Sequence, residues 1–65
     1  MRLTVNGIAR DAEPLSVAAL VAELTTQQRG VAVAVNGEVV PRSAWAGLRL
    51  RDGDRVEVLM AAQGG

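Results

Sequence analysis

The sequence predicts an α+β fold, a mixed sheet of four to five strands with one amphipathic helix packed across one face. Three observations carry that expectation. Short stretches alternate apolar and polar residues at the period of a half-buried strand, one longer stretch repeats apolar residues at helical spacing, and two Asn-Gly pairs separate strand-like runs. A sheet with a single amphipathic helix must bury the apolar stripe of that helix against one sheet face. At 65 residues the chain has the size of one small domain, which buries only about 60% of its unfolded surface and needs a well-patterned core.

The elements follow in order. Leu3 and Val5 alternate with Arg2 and Thr4. Asn6-Gly7 then suits a type I′ turn, which needs positive φ at both central residues. The return through Ile8-Ala9-Arg10 completes a hairpin from Arg2 to about Ala12. In Pro14-Leu15-Ser16, Ser16 is placed to cap a helix, and Leu15 and Leu20 fit a hydrophobic staple. Val17, Leu20, Val21 and Leu24 repeat at i, i+3, i+4 and i+7. Arg29 suits a helix C-terminus, and Gly30 is the expected stop.

Val31, Val33 and Val35 alternate with Ala32 and Ala34, a strand with a bulky face and a small-residue face. Asn36-Gly37 predicts a second hairpin turn returning through Glu38-Val39-Val40, which Pro41 ends. Ser43 to Gly47 reads as one helical turn and Leu48-Arg49-Leu50-Arg51 as a short strand. Asp52-Gly53-Asp54 is a turn, and Arg55 to Met60 is the last strand, with Val56, Val58 and Met60 on one face. The expected core is Leu3, Val5, Ile8, Leu15, Val17, Leu20, Val21, Leu24, Val33, Val35, Leu50, Val56 and Val58. Residues 1–60 form the domain and 61–65 a flexible tail.

The composition excludes much chemistry. The chain has no Cys, His, Lys, Phe or Tyr, and Trp45 is its single aromatic residue. Without Cys there is no disulfide, thiol nucleophile or thiolate metal site, and without His no imidazole base. Without Lys there is no internal Schiff base. Seven Arg balance seven acids. A neutral chain with one aromatic lacks the electrostatics and stacking platform of a nucleic-acid binder. No apolar run approaches the roughly 20 residues of a membrane span, and no secretory segment opens the chain, so the expectation is a cytoplasmic protein. Asp52 and Asp54 make a poor metal site by themselves. Arg42, Arg49, Arg51 and Arg55 read as a solvated face, with steering of an acidic partner as the alternative. Trp45 reads as a structural residue over the edge of the core.

What remains reactive is the α-carboxylate of Gly65. A carboxylate is a poor electrophile and must be activated, for example as an acyl-adenylate, before a nucleophile attacks it. The run Ala61-Ala62-Gln63-Gly64-Gly65 has small side chains or none at most positions, which suits threading into a narrow channel, and glycine permits close backbone approach. A compact domain with such an end suits a carrier presented to other enzymes.

At this point the whole chain resembles the ThiS family, the sulfur carriers of thiamin thiazole biosynthesis, which are ubiquitin-like β-grasp proteins. The most specific stretch is Asn36-Gly37-Glu38-Val39-Val40-Pro41-Arg42, followed by Trp45, Asp52-Gly53-Asp54-Arg55-Val56 and the terminal Gly64-Gly65. The resemblance implies a β-grasp fold and a protein that is not itself an enzyme. It implies that a ThiF-like adenylating enzyme uses Mg-ATP to convert the Gly65 carboxylate to an acyl-adenylate. Sulfur from a cysteine-desulfurase persulfide then replaces AMP, and thiazole synthase accepts sulfur from the resulting thiocarboxylate. Gly64, Gln63 and Ala62 would thread the partner's channel. The carrier itself would bind no cofactor and be a monomer when free.

If Val56, Val58 and Met60 face the helix, Leu59 faces outward beside the tail, with Ala32 and Ala34 on the same outer face. That face is the expected partner-binding surface. Three other readings stay open. One is the small subunit of molybdopterin synthase, with the same tail chemistry. Another is a ubiquitin-like protein modifier. The third is a non-covalent β-grasp binding module, in which the terminal glycines would be incidental.

Overall fold

The computed structural model describes residues 1–27 and 29–61. Among these, five strands form one sheet: β1 (Arg2–Val5), β2 (Ile8–Asp11), β3 (Val31–Val35), β4 (Glu38–Val40) and β5 (Arg55–Met60). Their order is β2-β1-β5-β3-β4. The first and last strands lie side by side and parallel, with Val5 opposite Val56, and the other pairings are antiparallel. The helix α1 (Val17–Leu24) presents Val17, Leu20 and Val21 as its buried face. These three meet Leu3, Val5, Val33, Val56 and Val58 from the sheet, with Leu15, Val40, Trp45 and Leu50 completing the core. Full burial of a Val or Leu side chain contributes about 1.5–3 kcal/mol, so the few fully buried residues, Leu3, Leu20, Val17, Val33 and Val56, carry much of the fold.

Both Asn-Gly pairs form the expected turns, with φ of 51° at Asn6 and Asn36, 82° at Gly7 and 85° at Gly37. The start of α1 is fully accounted for. Ser16 Oγ accepts from the Ala19 amide at 3.1 Å. The Val17 and Ala18 amides donate to the carbonyls of Leu48 and Trp45 at 2.9 and 3.1 Å. Residues 45–48 therefore supply hydrogen bonds that a free helix end would seek from water.

Several expectations are corrected. The helix ends at Leu24, not at Gly30, because Thr25 is already extended at φ −160°. Thr25 Oγ1 accepts the Gln27 amide at 2.9 Å, offering the backbone a local bond in place of another helical turn. Ile8 is 71% exposed and does not join the core. It faces the same side as Val5, its cross-strand partner, but sits at the turn end of an edge strand. Residues 48–51 do not join the sheet. Arg49 makes an isolated bridge to Ser16, and the Leu50 amide donates to Leu15, so this segment clamps the chain leading into α1. Met60 is 45% exposed at the end of β5, while Leu24 and Val35 are partly buried flanks of the core. Val40 and Trp45, absent from the expected core, are in it.

Trp45 is held by both ends. Its Nε1–H donates to the Val40 carbonyl at 2.9 Å, its carbonyl accepts from Ala18, and the Arg42 guanidinium stands 5.8 Å above the ring. That is the structural role expected of it.

Candidate functional site

The register of the sheet builds the outer face. Pairing of Ala32 with Leu59, Ala34 with Glu57, and Ala34 with Val39 puts these residues on the side away from α1. Leu59 is 72% and Val39 78% exposed. Ala32, Ala34, Val39 and Leu59, with Asn6 and Glu57, border an open depression of about 420 Å³. The small Ala side chains of β3 leave the hollow, and the larger side chains on either side form its walls. The structure thus brings Leu59, Ala32 and Ala34 together as expected and adds Val39 and Asn6. Val39 was readable in principle. A two-residue Asn-Gly turn fixes Val35 opposite Glu38, and counting one step further pairs Ala34 with Val39.

Two Asn side chains fix the strand that carries Leu59. Beyond Val5 the chain turns away from β5, yet the Asn6 carboxamide continues the pairing. Its Oδ1 accepts from the Val58 amide at 2.8 Å, and its Nδ2 donates to the Val58 carbonyl at 3.2 Å. From the other side Asn36 Oδ1 accepts from the Arg55 amide at 2.9 Å, and its Nδ2 donates to Asp54 Oδ1 at 2.9 Å. Asp54 Oδ2 accepts from the Arg51 amide at 2.8 Å, and Asp52 Oδ1 from the Arg2 amide at 2.7 Å. The Asp-Gly-Asp loop is therefore a clasp that ties the start of β5 to β1 and to the second turn. No group of three or more His, Cys, Asp or Glu residues that could hold a metal occurs among the described residues.

At the other end of β5 the Ala61 amide donates to the Gly30 carbonyl at 2.6 Å, one step past the Val31–Met60 pair. This contact is the root of the C-terminal segment. Ala62, Gln63, Gly64 and Gly65, expected to be the reactive and threading residues of a mobile tail, lie outside the described residues. No helix among the described residues is long and apolar enough to cross a membrane.

The model of the ThiS family matches residues 3–65. The chain belongs to the ThiS family. The sulfur carrier protein ThiS of Escherichia coli (strain K12) is 37% identical over 46 residues, which cover 71% of this chain and 70% of that protein. A thiazole synthase of Paramagnetospirillum magneticum is 39% identical over 66 residues, covering this whole chain, which spans only 20% of that protein. The crystal structure of a thiamine biosynthesis protein (ThiS) from Geobacter metallireducens superposes with a TM-score of 0.82 at 42% identity over all of both chains. Its solution structure gives the same score and identity over 88% of that chain. The mixed five-strand sheet with one helix is thus the ThiS β-grasp fold.

Proposed function

We propose that this ThiS-family chain is a sulfur carrier of thiamin biosynthesis, with the Gly65 carboxylate as its working group. The observation that carries the reading is the family match over residues 3–65 together with 42% identity to a ThiS structure along the whole chain. In this reading a ThiF-like enzyme holding Mg-ATP directs the carboxylate onto the α-phosphorus, and pyrophosphate leaves. The terminal sulfur of a cysteine-desulfurase-derived persulfide attacks the acyl carbon, and AMP leaves. A second thiol on the sulfur-transfer protein takes up the other sulfur of the acyl persulfide as a disulfide and frees the thiocarboxylate. Thiazole synthase then draws sulfur from it. The match to part of a thiazole synthase supports that last partnership.

The nucleophiles, bases and metal ions all belong to the partners, in keeping with a chain that has no Cys, His or Lys. The carrier's own part is to dock through Leu59, Ala32, Ala34 and Val39 and to present Gly65 through Gly64, Gln63 and Ala62. Intact mass tests the reading. Incubation with ATP, the adenylating enzyme and a persulfide donor is expected to exchange one oxygen for sulfur, and deletion of Gly65 is expected to abolish the exchange. A branched conjugate would instead make the chain a protein modifier. No change of mass would leave a non-covalent binding module.

A further inference from the structure

Gly30 has no role in stopping the helix, which ends at Leu24, yet its geometry demands glycine. Its φ is +71°, and a Cβ placed on it would lie 2.8 Å from the Ala61 Cβ, closer than side chains approach. At the same residue the Gly30 carbonyl takes the Ala61 amide at 2.6 Å. The last described residue of the chain therefore rests in the space that a side chain at position 30 would fill. Of the described glycines, Gly7, Gly37, Gly47 and Gly53 would each place a Cβ in open space. Gly30 alone among them has another part of the chain in the space its Cβ would take, and that part is the root of the segment bearing Gly65.

We infer that Gly30 is a positioning residue for the carrier reaction. By leaving room for Ala61 and fixing its amide, it sets the heading at which the C-terminal segment leaves the sheet. The inference rests on the carrier reading above. Gly65 lies only four positions beyond Ala61, so the heading at the root limits where the terminus can reach from the docked domain. The change falls at the end of the row that carries Ala32 and Leu59, and both of those residues are kept. Displacement of a reacting group by about 1 Å can cost on the order of a hundredfold in rate.

The test is adenylation kinetics of the full chain with the adenylating enzyme and ATP, read by pyrophosphate release. Gly30→Ala is expected to lower kcat by about tenfold or more with a much smaller change in KM, because Leu59, Ala32, Ala34 and Val39 are all retained. Adding Ala61→Gly removes the obstructed Cβ and is expected to restore most of kcat. Ala61→Pro, which deletes the amide donor and sets its ring against the Gly30 carbonyl while keeping glycine at position 30, is expected to resemble Gly30→Ala and serves if Gly30→Ala fails to fold. Wild-type kcat in Gly30→Ala, or failure of Ala61→Gly to rescue it, overturns the inference. If the wild-type chain is not adenylated at all, the carrier reading falls instead. The N–H residual dipolar coupling of Ala61 then decides the placement by itself: a value unchanged in Gly30→Ala overturns it, and a changed value restored by Ala61→Gly upholds it.

Discussion

At the level of single residues, Asn6 stands where β1 would have to continue for β5 to be paired on both sides along its length. Its positive φ turns the backbone into β2, and its carboxamide stays behind to engage Val58 through both donor and acceptor. A buried backbone amide or carbonyl left without a partner costs about 1–3 kcal/mol, and Val58 is 3% exposed. Asn6→Gly keeps a backbone suited to positive φ while deleting the bridge. It is expected to lower the stability to urea unfolding by about 1–3 kcal/mol; a loss within 0.5 kcal/mol would show that water replaces the carboxamide. Gly-Gly is itself a good hairpin turn, so the loss reports the bridge rather than the turn.

At the level of elements, α1 illustrates what is legible in a sequence and what is not. Its apolar spacing and its Ser16 cap were readable, because both depend on residues within one turn of each other. Its C-terminus was not. Arg29 and Gly30 carry the residue types of a helix end, but Thr25 ends the helix five residues earlier through its own hydroxyl. Gly30 serves a contact with Ala61, thirty-one positions away, that no local pattern encodes. The segment 48–51 failed for a related reason: its alternation is strand-like, but its partner is the chain around Leu15 to Val17 rather than the sheet. Ile8 has a strand residue's pattern and register, and only the limited cover of an edge strand exposes it. Ser16→Ala is expected to destabilise the protein by about 1 kcal/mol. The cost stays moderate because Leu48 and Trp45 still accept the Val17 and Ala18 amides. Denaturant unfolding followed by Trp45 fluorescence measures it.

At the level of the whole molecule, the sheet has one buried face and one exposed apolar face. The helix-facing side holds Leu3, Val5, Val33, Val56 and Val58, and the outer side leaves Leu59 and Val39 exposed, where the proposed docking would use them. The apolar outer face was legible at Leu59, Ala32 and Ala34 because strand alternation opposes them to the core positions. Leu59→Arg is expected to leave the melting temperature nearly unchanged, since the side chain is already 72% exposed. Affinity for the adenylating enzyme is expected to fall by about thirtyfold, as for a central apolar contact worth about 2 kcal/mol; titration of the enzyme with each variant reads it, and equal affinities would remove Leu59 from the interface. The two turns also bear on how long the molecule lasts. Asn-Gly is the dipeptide most prone to lose ammonia, because the following amide nitrogen can swing unhindered onto the side-chain carbonyl carbon and close a succinimide. Here Asn6 is held on Val58, and Asn36 on Arg55 and Asp54, so neither carboxamide is free to meet that nitrogen. Peptide mapping after prolonged incubation is expected to find aspartate and isoaspartate at positions 6 and 36 much later in the folded chain than in the unfolded one. The hydrogen bonds that align β5 thus also guard the two turns against chemical ageing, and the fold lasts as long as they hold.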